Sequence, residues 1–433
     1  MKLRFIYYLA LVLTALSLTA VINPVLAEEN GFYVKNGRVL EYNGSDFIAR
    51  GINYPYAWFA SNWNSSVTAM AATGANCVRV VLSNGKRWTK TSSATVQQIV
   101  QKCKDNKLIA VLEVHDCTGY SEQSGSVALS TAVDYWKEIK SVLIGQEKYV
   151  WINIANEPLG NNVPKADWID QHKKAITDLR SAGFEHLLVV DAANWGQDWE
   201  KIMHGSAGSV LEADQKSRTL MSVHMYDVYK SDAEVNGYLK QFAVTKKWPL
   251  MVGEFAADHG SDKPVDEQAV LDRCKEYGLG YIGWSWSGNG DGLGSLDITN
   301  NFSASSLSTW GTTLIKGKNG IKETSNPACI FGGKFIEPPV SVAPERERAG
   351  GAPVRFSSRG CELGSILNAG SSKRTVSIGL FDLHGRLVQS TSRTLPVNDR
   401  GTVSISTAGL SGTFIARISD GKTELRHAVT LIR

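Results

Sequence analysis

The chain has 433 residues, of which 43% are hydrophobic, and its formal net charge is +4. A charge this small does not indicate a nucleic-acid-binding protein, and the length is sufficient for two or three domains. Residues 340–433 carry 13 Lys and Arg against 7 Asp and Glu, a charge of +6, so the preceding residues sum to −2 (4 − 6). The tail is therefore a unit of different composition.

The chain begins with a segment typical of export signals. Two basic residues, Lys2 and Arg4, precede an apolar stretch over residues 5–20, and residues 25–27 have the small-residue spacing that a signal peptidase cleaves. The apolar stretch is short for a membrane-spanning helix. The pattern predicts a signal peptide at residues 1–27 and a protein that is secreted or held at the cell surface. An uncleaved membrane anchor is the alternative.

Short apolar runs alternate with longer segments of helical periodicity between residues 46 and 324. Several runs are apolar at nearly every position, as expected of parallel strands buried on both faces. The eight runs are 47–54, 77–82, 108–114, 149–155, 186–191, 220–224, 250–254 and 281–285. Eight strand–helix units predict a (β/α)8 barrel over residues 28–334. An open doubly wound sheet is the alternative, but no Gly-rich phosphate loop follows the first run.

Two glutamates each follow an apolar run. Glu157 lies in the frame Asn-Glu-Pro and Glu254 in the frame Gly-Glu-Phe, 97 residues later (254 − 157). In a (β/α)8 barrel the carboxyl ends of the strands meet at one mouth, where the chemistry takes place. Hydrolysis of a glycosidic bond requires two carboxylates at such a mouth. One donates a proton to the leaving oxygen, and the other attacks the sugar or activates water.

Short motifs occur in chain order at or near the predicted strand ends. They occupy residues 31–34, 50–53, 75–83, 113–116, 132–136, 152–157, 190–197, 223–226, 253–255 and 283–286. Through these motifs, residues 31–331 resemble glycoside hydrolase family 5, and within it the bacterial endo-β-1,4-mannanases of the subfamily 8 type. The resemblance implies a hydrolase that retains the anomeric configuration, attacks internal bonds, and needs neither cofactor nor metal.

The resemblance also implies a role for individual residues. Glu157 is the implied general acid/base and Glu254 the implied nucleophile. Arg79 is implied to keep Glu254 ionised, Tyr226 to hold it through its hydroxyl, and Asn156 to bind the 2-hydroxyl of the substrate. If these roles hold, the pKa of Glu157 must exceed that of Glu254, because only the first carboxyl has to be protonated when the bond breaks.

Aromatic and imidazole side chains complete the implied sugar site. The resemblance implies that His115 and His224 shape the −1 site and that Trp284 forms its floor. Pyranose C–H faces pack well on aromatic rings, and four tryptophans in loops after strand ends are candidate sugar platforms: Trp58, Trp88, Trp195 and Trp286. Three others are expected in the core: Trp136, Trp151 and Trp310.

Three positions bear on the choice of substrate. Tyr54 and Tyr56 stand where the mannanases have histidines, and Pro158 stands where many have an aromatic residue, in an Asn-Glu-Pro frame shared with family 5 cellulases. We expect hydrolysis of internal β-1,4-mannosidic bonds in mannan, glucomannan or galactomannan. An endo-β-1,4-glucanase on the same fold and a non-catalytic polysaccharide-binding protein are the alternatives. Residues 289–297 resemble a calcium loop but lack its final glutamate, so we expect them to rim the cleft.

The tail is predicted to be a separate domain. Residues 335–358, rich in Pro and Gly, predict a linker. Short strands at residues 376–381, 386–389, 403–406, 413–418 and 425–432 predict a small β-sandwich over residues 359–433. The segments 380–388 and 409–417 resemble the C-terminal sorting domains of type IX-like bacterial secretion, which implies the secretion machinery as a partner. A carbohydrate-binding module is the alternative, although the tail contains no tryptophan. We expect a monomer, and we expect Cys329 and Cys361 to be the first pair to test for a disulfide.

Overall fold

The computed structural model describes residues 29–260, 263–290 and 292–338, and in the tail seven strands between residues 354 and 431 together with Asp382. The chain divides into two units, residues 1–338 and 339–433. The predicted signal peptide and most of the predicted linker lie outside the described residues. Among the helices of the described segments, none is long and apolar enough to cross a membrane.

Eight parallel strands close into a barrel in the first unit, which confirms the predicted (β/α)8 fold. An antiparallel hairpin of β1 (Tyr33–Lys35) and β2 (Arg38–Leu40) precedes the barrel. The barrel strands are β3 (Arg50–Tyr54), β4 (Cys77–Leu82), β5 (Ile109–Val114), β6 (Val150–Asn153), β7 (Leu187–Asp191), β8 (Thr219–Met225), β9 (Leu250–Phe255) and β10 (Gly280–Gly283). Each pairs with the next along the chain and β10 pairs with β3, so all eight carboxyl ends meet at one mouth.

Helices connect the strands and cover the outside of the barrel. They are α1 (Tyr56–Phe59), α2 (Trp63–Ala72), α3 (Ser93–Asp105), α4 (Leu129–Glu138), α5 (Lys165–Ser181), α6 (Ile202–Leu211), α7 (Asp232–Lys240), α8 (Glu267–Tyr277), α9 (Thr309–Lys316) and α10 (Ile321–Thr324). Several begin where the sequence supplies a capping side chain. Ser92, Asp266 and Ser308 each accept a hydrogen bond from a backbone N–H in the first turn of α3, α8 and α9.

The predicted apolar runs match the eight strands to within three residues at each end. The largest difference, three residues, falls at the start of β3, and at β6 and β10 the run continues two residues past the strand. At the end of β6 the Asn153 side chain donates to the carbonyl oxygen of Val189 and to Asp191 Oδ1, at 3.3 and 3.0 Å. The tryptophans expected in the core are buried: Trp136, Trp151 and Trp310.

The interior of the barrel changes from apolar to polar along each strand. Successive side chains of a strand point to opposite faces. In β5, Ile109 and Val111 belong to an apolar cluster with Trp151 at the barrel floor, and the next residue on that face is Glu113. In β4, Cys77 and Arg79 are likewise two residues apart on the inward face, the first apolar and the second charged. Buried polar side chains therefore collect at the mouth: Asn53, Arg79, Glu113, Asn153, Asp191 and His224.

The second unit contains two antiparallel sheets. The first has three strands, β11 (Val354–Ser357), β12 (Gly360–Leu367) and β15 (Arg400–Ser406). The second has four, in the order β14 (Leu387–Leu395), β13 (Arg374–Phe381), β16 (Gly412–Ser419) and β17 (Glu424–Leu431). The sequence did not predict β11 or β12, and β11 lies inside the predicted linker. The alternation of Val354-Arg-Phe-Ser357 was the signal, next to residues rich in Gly and Pro.

The cysteine with a predicted partner is a free thiol. Cys329 carries no disulfide among the described residues, and its pairing with Cys361 stays a prediction. Its Sγ lies 3.8 Å from the carbonyl oxygen of Lys334, in its own unit. The Cys361 side chain lies outside the described residues. Cys77, on the apolar strand β4, is also a free thiol and is buried.

Candidate active site

A buried arginine occupies the centre of the barrel mouth. The Arg79 guanidinium on β4 donates to Glu254 Oε1 at 2.7 Å, Asn153 Oδ1 at 2.8 Å, Asn53 Oδ1 at 3.0 Å and Asn156 Oδ1 at 2.6 Å. Its Nη2 also lies 3.4 Å from Asp191 Oδ2. Burial alone would lower the pKa of Arg79, but the surrounding carboxylates raise it well above its usual value. Arg79 is therefore a fixed cation that links five strands at the mouth.

Two hydrogen bonds hold the carboxyl group of Glu254 in place. Its Oε1 accepts from Arg79 Nη1 at 2.7 Å, and its Oε2 accepts from the hydroxyl of Tyr226 at 2.8 Å. Burial and the neighbouring carboxylates raise the pKa of Tyr226 far above its usual value. The tyrosine consequently stays a donor. This geometry is what a carboxylate needs to attack as a nucleophile.

A register shift directs Glu254 into the mouth. Between β8 and β9 the pairing moves from Val223 with Val252 to His224 with Glu254, so Gly253 is an extra residue on β9. A bulge of this kind turns the following side chain toward the other face. A Cβ on Gly253 would lie 2.2 Å from Ser222 Oγ, so only glycine fits here. The Gly-Glu frame is thus a requirement of packing.

Glu157 follows β6 with its backbone in the left-handed region, at φ 38°. Its N–H donates to Asp191 Oδ2 at 3.2 Å, and its own carbonyl oxygen accepts from the N–H of Gly119 at 2.8 Å. These bonds compensate for a conformation that is unfavourable for a residue with a Cβ. The result places the carboxyl at the mouth, where Oε1 lies 2.7 Å from His224 Nδ1.

The environment of Glu157 favours its acid form. Burial raises the pKa of this carboxyl, the negative charge of Glu254 raises it further, and His224 opposes both effects. His224 lies among three carboxylates, 2.7 Å from Glu157, 3.3 Å from Asp191 and 3.6 Å from Glu254. Burial alone would lower the pKa of His224, but these charges raise it to about 10. The imidazole is therefore a cation at neutral pH.

The two glutamates face each other across a short gap. One carboxylate oxygen of Glu157, one of Glu254 and a ring nitrogen of His224 all lie within 4.8 Å of one another. Hydrolases that retain configuration place their carboxyl groups about 5–5.5 Å apart, and those that invert it leave roughly 6.5–9.5 Å for a water molecule. The distance between the Glu157 and Glu254 oxygens fits the hydrolases that retain configuration. Among the described residues these three also form the one cluster with the spacing of a metal site, but each carboxylate already has a donor.

An aromatic cluster lines one side of the mouth. The rings of His115 and Trp284 stack 5.9 Å apart at 21°, and Trp58 and Trp88 meet His115 at 5.1 and 5.8 Å. His115 Nδ1 lies 2.9 Å from Glu113 Oε1, which fixes its ring. The structure thus brings together four residues that the sequence placed in the sugar site. Asn156, also predicted there, is oriented by Thr118, whose hydroxyl accepts from its amide at 2.9 Å.

The structure separates the remaining aromatic candidates. Trp195 lies half-buried in the loop after β7, with its Nε1 donating to Glu122 Oε2 at 2.7 Å. Trp286 has 0% of its surface exposed, so the prediction that it is a sugar platform is wrong. The chain turns inward after β10, where the N–H of Trp286 donates to the carbonyl oxygen of Asn53. Tyr54 is also fully buried, with its hydroxyl donating to the carbonyl oxygen of Phe59 at 2.8 Å.

Several residues of the site were not singled out from the sequence. They are Asn53, Glu113, Asn153 and Asp191, each the last or nearly the last inward residue of its strand. Burial opposes ionisation of Asp191, yet His224 and Arg79 hold its pKa well below the usual value. The sequence signal that could have identified these four residues is a polar residue at or near the end of an apolar run. Asn289, in the loop expected to rim the cleft, accepts from Trp284 Nε1 at 3.0 Å.

Known proteins resemble the chain over this whole region. The family model described as cellulase (glycosyl hydrolase family 5) matches residues 40–290. A mannan endo-1,4-beta-mannosidase of Cellvibrio japonicus (strain Ueda107) is 50% identical over 321 residues, covering 74% of this chain and 73% of its own. One of Streptomyces lividans is 48% identical, covering 71% of this chain and 79% of its own.

Solved structures show the same relationship. The mannotriose complex of a Thermomonospora fusca beta-mannanase is 48% identical, with a TM-score of 0.67 over 70% of this chain and 99% of that one. A beta-mannanase from Streptomyces thermolilacinus, solved with mannohexaose, is 44% identical, with the same TM-score over 70% of this chain and 98% of that one. The match of the family model and the extent of these identities lead to one conclusion: the chain belongs to glycosyl hydrolase family 5.

Proposed function

We propose that the chain is a retaining endo-β-1,4-mannanase that cleaves internal β-1,4-mannosidic bonds of mannan, glucomannan or galactomannan. The observation that carries the mechanism is the gap of at most 4.8 Å between the Glu157 and Glu254 oxygens. Relatives that are 48–50% identical and described as mannan endo-1,4-beta-mannosidases support the substrate. The complexes of similar proteins with mannotriose and mannohexaose support it further.

The first step forms a glycosyl-enzyme. Glu157 in its acid form gives its proton to the glycosidic oxygen as the bond to the anomeric carbon breaks, and Glu254 Oε2 or Oε1 bonds to that carbon from the opposite face. Arg79 and Tyr226 hold the attacking carboxylate in place at 2.7 and 2.8 Å. Asn156, fixed by Arg79 and Thr118, is placed to bind the 2-hydroxyl, a contact that strengthens in the transition state.

The second step releases the sugar. Once Glu254 is a neutral ester, the negative charge that raised the pKa of Glu157 is gone, so Glu157 is stable as the carboxylate that can accept a proton from water. The cationic His224, 2.7 Å away, also favours the ionised form. Glu157 then accepts a proton from water as the oxygen of that water bonds to the anomeric carbon and Glu254 leaves. The two glutamates return to their first charge states.

Purified protein assayed on a panel of polymers tests the substrate. We expect release of oligosaccharides from mannan and glucomannan, little from carboxymethylcellulose and none from xylan. Glu254→Ala should lose activity by several orders of magnitude, since the nucleophile is absent, and should still fold with a wild-type circular dichroism spectrum, although at a lower unfolding temperature because Arg79 loses one of its buried partners. Cleavage of carboxymethylcellulose but not of mannan would support an endo-β-1,4-glucanase instead. That alternative stays open because a 40% identical protein of Caldicellulosiruptor saccharolyticus is described as beta-mannanase/endoglucanase A.

The stereochemical outcome tests the carboxylate separation. Two displacements at one carbon return the original configuration, so proton NMR of mannohexaose digestion should show the β-anomer of the new reducing end before mutarotation produces the α-anomer. An initial α-anomer would refute the double displacement. The wild-type enzyme is compared with an enzyme-free sample of the same oligosaccharides.

The pH dependence tests the role of His224. Glu157 must be protonated in the first step, so kcat/KM falls as the pH rises through its pKa. His224 stabilises the ionised form of Glu157. Replacing it, in His224→Asn, should therefore raise the pKa of Glu157 and move the basic limb to higher pH, even though the rate decreases. His204→Asn, a change on α6, is the control and should leave the limb in place. A shift to lower pH in His224→Asn would contradict the assignment.

We propose also that the chain is exported and that the tail acts as a sorting domain. The basic and apolar start of the sequence supports export, and the motifs at residues 380–388 and 409–417 support sorting. The two antiparallel sheets are compatible with the predicted β-sandwich. Mass spectrometry of protein recovered from the native host should find Glu28 as the first residue, and removal of residues 359–433 should retain the enzyme in the periplasm. A chain that still begins at Met1 would overturn the signal peptide.

A further inference from the structure

One exposed tryptophan at the mouth has no role in the site described so far. Trp199 lies in the loop after β7 and leaves 48% of its surface exposed. The large apolar side chains of the described residues are otherwise seldom so open, and the other exposed tryptophan is Trp58, at 37%, after β3. In the order of the barrel, β3 and β7 stand four strands apart. The two tryptophans therefore lie at opposite sides of the mouth.

A chain of side-chain hydrogen bonds fixes Trp199. Its Nε1 donates to Asn161 Oδ1 at 2.7 Å, and the N–H of Asn161 donates to Glu122 Oε2 at 2.7 Å. The same carboxylate oxygen accepts from Trp195 Nε1 at 2.7 Å. Three loops, after β5, β6 and β7, are joined in this way. An exposed indole whose N–H is already bonded presents its faces, and not its polar edge, for packing.

The same loops are bonded to the acid/base residue. The Trp195 ring packs on the backbone of Gly119, where a Cβ would lie 2.3 Å from the ring. The N–H of Gly119 donates to the carbonyl oxygen of Glu157, and the N–H of Trp195 donates to that of Leu159. The aromatic surface is therefore held at a fixed position relative to Glu157. Trp195 and Trp199 both follow β7, which stands four strands from β3, the strand before Trp58, and three strands from β10, the strand before Trp284.

The Trp284 side and the Trp199 side of the mouth are expected to bind different parts of the substrate. The acid/base residue protonates the oxygen that joins the leaving sugar to the sugar under attack. In the proposed function the sugar under attack stacks on Trp284 and bonds to Glu254, which directs the leaving portion past Glu157 toward β7. We propose that Trp199, held by Asn161 and flanked by Trp195, binds the pyranose rings of the leaving-group portion of the β-1,4-linked chain. This inference rests on the proposed function and specifies which substrates the site favours.

The test compares two substrates that differ on the leaving-group side. Mannopentaose places sugars there, and 4-nitrophenyl β-mannotrioside places nitrophenol there. In Trp199→Ala the ratio of kcat/KM for mannopentaose to kcat/KM for the nitrophenyl substrate should fall about tenfold, in the range typical of truncating a buried tryptophan contact. Asn161→Ala, which frees the indole, should lower the ratio about threefold by loss of preorganisation. Trp199→Phe, which keeps an aromatic ring, should retain most of the wild-type ratio.

Controls separate this inference from general effects. Phe335→Ala removes an aromatic ring that is 54% exposed next to Ile336, which pairs with the chain ahead of β3 at the other end of the barrel; its ratio should equal that of the wild type. Trp58→Ala should lower kcat/KM for both substrates. An active wild type with an unchanged ratio in Trp199→Ala would overturn the Trp199 surface alone. A wild type inactive on both substrates would overturn the proposed function and this inference with it.

Discussion

The arrangement of the barrel mouth depends on one buried cation. Arg79 is fully buried, and its guanidinium contacts side chains from β3, β6, β7 and β9 and the residue before Glu157. A charge in such a place is unfavourable unless it is paired and hydrogen-bonded. Here it is both, and removing one partner of a buried pair typically costs about 3–5 kcal/mol. The planar guanidinium with its fixed donors suits this geometry, whereas a lysine would not.

The two glutamates differ in their distances to the two cations. Glu254 bonds directly to Arg79, a permanent charge, and to the Tyr226 hydroxyl. Glu157 has no contact with Arg79 and bonds to His224, whose own charge depends on the same group of carboxylates. The two carboxyls of one buried pocket therefore have different partners, which suits the different roles proposed for them. In the proposed reaction the ester formed on Glu254 removes the charge that raises the pKa of Glu157, so the two carboxyls together can serve as nucleophile, acid and base.

The sequence predicted the barrel because parallel strands buried on both faces have a clear apolar pattern. It also located the two glutamates and the residues nearest to them, since their motifs occur in a matched order. It did not identify Asn53, Glu113 and Asn153, because one inward polar residue per strand is visible only when the strand direction is known. The wrong prediction for Trp286 has a similar cause. A tryptophan that follows a strand end faces either the cleft or the core, and the sequence does not distinguish the two. Here the backbone N–H of Trp286 bonds to the carbonyl oxygen of Asn53, and the side chain is buried in the core.

The burial of Tyr54 excludes this residue as a direct determinant of substrate preference. This residue departs from the mannanase pattern, but its ring packs against Trp63 at 5.1 Å and its hydroxyl bonds to backbone, so it has no surface with which to recognise a sugar. Tyr56 likewise meets Trp63 edge-on at 5.7 Å. Mannose and glucose units differ at the 2-hydroxyl, which the implied site reads through Asn156, and that amide is fixed by Arg79 and Thr118. For the proposed mannanase we expect discrimination between the two sugars to depend on how the ring is seated over Trp284 and against His115, because these surfaces would set the height and tilt at which the 2-hydroxyl meets a rigid amide.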